Sequence, residues 1–270
     1  MSIRQFRPRG DRRRGISRRR SILLYGVLAA ALLSQIAYPL VHGDLLRIIT
    51  LTTVYLGATA MLLHAWFSYG LRYVSSYLFL TFAIALGIEE LGSRSGWPFG
   101  HYTYSHTLGI QIYNVPLVVP FAWLMLSHPI LMAARKITHH WVFLVGGFGL
   151  MAWDIFLDPQ MVSAHRWTWK VVGPNVPFQP NIPLSNTAGW LFAGMGLMAI
   201  LHVALPKERR KRGANFLAAE IFLGWTWFAG VVGNLFFFHR PGVALVGGIV
   251  YGLFLVAYLF NSRFGRPDDL

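Results

Sequence analysis

Residues 87–109 read "GIEELGSRSGWPFGHYTYSHTLG", and they follow the unbroken apolar run "YLFLTFAIAL" at 77–86. Two adjacent carboxylates, Glu89 and Glu90, close that run. After them come glycines, a Trp-Pro-Phe-Gly turn, two tyrosines and two histidines. A carboxylate in an apolar helix is costly and usually marks function when the helix lies in lipid. How the pair is read therefore depends on whether the surrounding chain belongs to a membrane.

Composition answers that. The chain has 270 residues, 55% of them hydrophobic and 15% aromatic, with only 13% charged and a mean hydropathy of +0.48. Soluble domains carry about 25% charged residues. Crossing a bilayer takes about 20 apolar residues. Eight such runs occur, at roughly 22–41, 46–68, 72–91, 113–133, 141–158, 186–205, 215–238 and 243–261. The expected fold is all-α and polytopic, with about eight transmembrane helices (seven to eight). The expected parts are a basic segment at 1–21, a transmembrane domain at 22–262 and a short tail at 263–270.

The formal net charge of +14 does not point to nucleic acid. Nine arginines lie in "MSIRQFRPRGDRRRGISRRR", directly before the first apolar run. That is the positive-inside pattern, for which anionic lipid headgroups are the expected partner. A cleaved signal peptide fits poorly, because the apolar run is too long. With the N-terminus inside, 19 of the 24 basic residues fall on the cytoplasmic side. The expected location is the cell membrane, multi-pass, with both termini cytoplasmic. The loops 92–112 and 159–185 then lie together on the outer side. Both are rich in Gly, Pro and aromatics, and they are expected to fold back as a cap over one face of the bundle.

Of the ten acids, five lie in or beside apolar runs: Glu89, Glu90, Asp154, Asp158 and Glu220. Asp154 and Asp158, in "MAWDIFLDPQM", are spaced i, i+4 and share one helix face. Pro159 disfavours the helical conformation at Asp158, so the helix is expected to stop there. Glu89, Glu90, Asp154 and Asp158 would share one depth near the outer face. A helix C-terminus, apolar surroundings and a neighbouring carboxylate each favour the neutral acid, so one of the four is a candidate proton donor. Glu220 is expected to be interfacial.

The chain has no cysteine, which excludes thiolate nucleophiles, iron–sulfur clusters and cysteine zinc sites. His101, His106 and His165 are candidate polar support for the acids. No helical pairing of histidines points to a metal, and no metal or other cofactor is expected. His64, His128, His202 and His239, near helix ends, are expected at the interface. The spacing of Asp154 and Asp158 is half of the aspartate-rich signature of membrane prenyltransferases, but a second such cluster is missing. The aromatics Trp97, Phe99, Tyr102, Tyr104, Trp153, Trp167, Trp169 and Trp190, with Asn186, are candidates to bind substrate. Collected around acids, aromatic faces suit a cationic intermediate.

Four ordered motifs carry a resemblance: "EELGSRSGWPFGHYTYSHTLG" at 89–109, "VPLVVPFAWLML" at 115–126, "WDIFLDPQM" at 153–161 with "WTW" at 167–169, and "NIPLSNTAGW" at 181–190. Together they resemble the carotenoid biosynthesis family of the bisanhydrobacterioruberin hydratase and carotenoid 1′,2′-hydratase type. The arginine-rich N-terminus and "VGPNVPFQP" at 172–180 lie outside that pattern. The resemblance implies cofactor-independent hydration of a terminal isoprenoid double bond of a carotenoid. The substrate would be dissolved in the bilayer, and other carotenoid-pathway enzymes would be partners. The carboxylates would then sit where a polyene end meets water. Two alternatives stay open: a carotenoid cyclase, which begins with the same protonation, and a non-catalytic carotenoid-binding protein.

Overall fold

The computed structural model describes residues 16–264 apart from 209 and 212. Most of the basic N-terminal segment and of the C-terminal tail lies outside the described residues. Among the described residues, eight helices are long and apolar enough to span a bilayer. They are α1 (Arg18–Ala37), α2 (Gly43–Tyr69), α3 (Leu71–Ser95), α4 (Val118–Ile137), α5 (Val142–Ser163), α6 (Leu184–Ala204), α7 (Leu217–Val232) and α8 (Pro241–Phe264). A π-helical turn, Gly233–Phe237, extends α7. The chain is thus an all-α, multi-pass membrane protein.

Two helices are interior. In their most apolar stretches, 83% of α4 and 72% of α5 is buried, against 22–33% of the other six. The two pack on each other; α2 and α3 lie against α4, while α6 and α8 lie against α5. Lipid supplies no hydrophobic drive between helices, so close approach depends on small residues. A side chain on Gly147 of α5 would place its Cβ 2.7 Å from the backbone nitrogen of Met195 on α6. No residue but glycine fits there, and α5 and α6 form the most extensive contact in the bundle.

The two long loops do fold back as a cap. β1 (His101–Tyr104) from the first pairs antiparallel with β4 (Trp167–Lys170) from the second, with Tyr102 opposite Trp169 and Tyr104 opposite Trp167. The period of two along a strand turns Tyr102, Tyr104, Trp167 and Trp169 inward. On the outer face Thr103 and Thr168 meet, their hydroxyls 3.1 Å apart. Short hairpins β2–β3 (Gln111–Ile112, Val115–Pro116) and β5–β6 (Asn175–Val176, Gln179–Pro183) complete the cap.

Several boundaries differ from the sequence reading. α3 runs past the glutamates to Ser95 and ends at Gly96, which takes the left-handed conformation. The segment 113–117 belongs to the cap and not to α4. α5 continues through Pro159 to Ser163. The proline lacks the N–H that would bond the carbonyl of Ile155, and Gln179 from the cap donates to that oxygen instead, at 3.3 Å. A remote amide makes the interior proline tolerable.

His64 and His128 are not interfacial. Both are buried, with His64 Nδ1 3.0 Å from His128 Nε2. His64 Nε2 lies 3.0 Å from the carbonyl of Asn215. His64 thus has a polar partner at each ring nitrogen and His128 one at Nε2, which helps both rings stay inside the bundle.

Candidate active site

Glu89 is buried in the inner turns of α3. Its carboxyl accepts three hydrogen bonds: from the hydroxyls of Tyr102 and Tyr104 at 2.7 Å each on Oε2, and from Trp123 Nε1 at 2.9 Å on Oε1. The first two donors come from β1 and the third from α4. Burial, then the adjacent Glu89 carboxylate, push both phenols well above their ordinary pKa. A phenol so raised stays protonated across the working range, so Tyr102 and Tyr104 are permanent donors.

Opposite Glu89 sits a second carboxyl cluster. Asn186 on α6 spends its amide nitrogen on both aspartates of α5, donating to Asp154 Oδ2 at 2.8 Å and to Asp158 Oδ2 at 2.5 Å. Trp167 of β4 donates to Asp158 Oδ1 at 2.7 Å. Asp154 Oδ1 is buried and accepts nothing among the described residues. The i, i+4 spacing thus places both aspartates on one face, toward α6.

Aromatic rings wall the space between. Trp123 and Trp190 stack, with ring centres 4.5 Å apart and planes 12° from parallel. Trp153 stands edge-on to Trp190 at 5.7 Å. Phe99 lies 6.0 Å from Trp190, and Tyr102 lies 4.7 Å from Trp169. Gly189 admits the first loop here: a Cβ on it would sit 2.7 Å from the carbonyl oxygen of Pro98. The result is one cavity of about 60 Å³ that reaches Glu89, Asp154, Asp158 and Asn186. Among the described residues no basic side chain lines it.

The structure gathers Glu89, Asp154, Asp158, Phe99, Tyr102, Tyr104, Trp153, Trp167, Trp169, Asn186 and Trp190 around this cavity. It does not bring Glu90 there. Glu90 pairs with Arg94 one turn on and accepts the backbone N–H of Asn114 at 3.0 Å. Trp97, His101, His106 and His165 are exposed on the cap, outside the cavity. Glu220 is exposed and accepts the Tyr258 hydroxyl at 2.6 Å. The expected helix-end effect does not apply. Glu89 and Asp158 both precede the last turn of their helices, and the dipole acts within that turn. Trp123, noticed in the sequence only as one of the many aromatics, also lines the cavity. Its signal was the one tryptophan inside "VPLVVPFAWLML", an indole N–H that needs a partner once buried.

The family model for carotenoid biosynthesis proteins matches residues 49–255. Bisanhydrobacterioruberin hydratase of Haloarcula japonica is 27% identical over 192 residues, which cover 66% of this chain and 60% of that protein. The match therefore leaves about two fifths of the relative's length unaccounted for. No solved structure matches the chain.

Proposed function

The chain belongs to the carotenoid biosynthesis protein family, and on that premise we propose that it hydrates a terminal isoprenoid double bond of a carotenoid to a tertiary alcohol. One observation carries the reading: three buried carboxyls from α3 and α5 face a single cavity walled by stacked tryptophans. Adding water to a trisubstituted alkene needs a proton donor, a steadied tertiary cation and a base for the incoming water.

Asp154 is assigned as the donor, because its Oδ1 is the carboxyl oxygen left without a partner. In its neutral form it protonates the less substituted alkene carbon, and the π pair becomes the new C–H bond. The positive charge on the neighbouring tertiary carbon then meets the faces of Trp123, Trp153 and Trp190. Water adds through its oxygen, and ionised Asp158 takes the proton that water releases. One water is consumed, and exchange with solvent moves the proton back to Asp154. Asn186 holds the two carboxyls in register, and Glu89 holds Tyr102, Tyr104 and Trp123 in place.

Product isotopes test this. In heavy water the product should carry one deuteron on the carbon beside the new alcohol. In oxygen-labelled water the hydroxyl should carry the label, and the reaction should run without air. Product mass should exceed substrate mass by one water per modified end. Label arriving from dioxygen would make the protein a hydroxylase, and an unchanged mass with a new ring would make it a cyclase.

The distribution of basic residues supports cytoplasmic termini in the cell membrane, with the cap on the outer side. Single cysteines introduced at positions 100 and 175 of the naturally cysteine-free chain should react with an impermeant reagent from outside intact cells. Labelling restricted to the cytoplasmic side would invert the topology.

A further inference from the structure

The carboxylate cavity does not end at the tryptophans. Thr50, Val54, Ala122, Trp153, Leu157 and Met161 also line a second, larger cavity of about 310 Å³. It lies between α1, α2, α5 and α7. The gap exists because α7 packs against α8 and α1 but meets α2 and α5 at few points. Its wall on the α7 side is built from Ala229, Gly230 and Gly233, where the helix passes into its π turn. Such turns often mark functional positions.

This second cavity reaches the flank of the bundle. Ile36 on α1 and Phe228 and Phe237 on the α7 side line it and are 47%, 50% and 48% exposed. All three lie on membrane-spanning segments, so the opening faces acyl chains and not water. Its lining is mostly apolar and, among the described residues, holds no charged side chain. A water-soluble ligand would have no reason to enter by this route; a hydrocarbon would.

We propose that this cavity seats the long apolar chain of the substrate, a linear polyene. The polyene enters sideways from the bilayer between α1 and α7, passes Trp153, and presents one end to Asp154 and Asp158. Its next stretch fills the second cavity, and the rest of its length runs out past Phe228 into the bilayer. The inference rests on the hydratase reading and adds to it the route and the orientation of the substrate. One end reacts per binding event, because the cavity has one arm leading to the carboxyls.

Lycopene is the probe. A photoreactive benzophenone amino acid placed at Phe228, beside the opening, should crosslink lycopene when the full chain is held in lipid nanodiscs. The same group at Phe79, an exposed position on α3, should give only background. Both sites are exposed, so neither replacement disturbs packing. Equal crosslinking at 228 and 79 would overturn the route. Separately, Ala229→Trp should weaken lycopene binding, read by quenching of tryptophan fluorescence, by about tenfold or more. Wild-type binding in a variant with an unchanged unfolding midpoint would likewise overturn it. Hydration without crosslinking at 228 would remove the route and leave the hydratase standing. Crosslinking at 228 without any hydration would remove the hydratase and leave the polyene site.

Discussion

Asp154→Asn should lower product formation by about 10²–10⁴-fold, the usual cost of removing a general acid, with the protein inserted and folded as before. The substitution is unusually clean. Asp154 Oδ2 accepts from Asn186, and an asparagine oxygen can do the same. The new amide nitrogen then falls where Oδ1 has no partner, so no existing bond is lost. Asp158→Asn is a poorer experiment, since both oxygens of Asp158 accept N–H donors, from Trp167 and Asn186. An amide there must turn its own N–H groups toward another donor. Pigment extracted from a lycopene-producing host, with protein quantified in the membrane fraction, separates lost chemistry from lost protein. Wild-type yield from Asp154→Asn would end the carboxylic-acid mechanism.

Glu89→Leu should abolish product and also lower the unfolding midpoint in detergent. It would strand the donors of Tyr104 and Trp123 and leave the Tyr102 hydroxyl only the backbone carbonyl at position 89, at 3.2 Å. Each unmet donor costs about 1–3 kcal/mol, which sums to much of a typical stability of about 5–15 kcal/mol. Glu89→Gln is the partner experiment. Its oxygen can accept from Trp123 and its amide can donate to the tyrosine oxygens, so the midpoint should fall less than in Glu89→Leu, although the tyrosine O–H groups lose their carboxylate acceptor. Glu90→Gln should do little to either readout, because a partly exposed ion pair such as Glu90–Arg94 is worth about 0–1 kcal/mol. A midpoint for Glu89→Leu no lower than that of Glu90→Gln would contradict the hydrogen bonds described for Glu89.

The eight spans were legible because lipid imposes a length and a composition on any helix that crosses it. The acids were legible for the same reason, being out of place in that solvent. What separates Glu89 from Glu90 was not. Neighbours on a helix point about 100° apart, and which of the two faces inward depends on the rotation that α4 and the cap impose on α3. The role of "YTY" and "WTW" was hidden by distance along the chain. Their alternation suits a strand, but that the two segments are strands of one ribbon depends on a pairing across 65 residues. The reading of Pro159 failed because a local rule met a distant donor, Gln179. The pairing of His64 with His128 was invisible for a like reason, since neither residue carries any mark of the other.

The ribbon that joins the two loops has a mechanical effect. One strand carries the hydroxyls that hold Glu89, and the other carries the indole that holds Asp158. The loops therefore cannot rise one at a time. Lifting the ribbon would loosen both carboxyl clusters together, leaving Glu89 to Trp123 and the aspartates to Asn186. The site is armed or disarmed as a unit. Under the hydration proposed above, a cation made beneath a seated cap would meet only the water already enclosed with it.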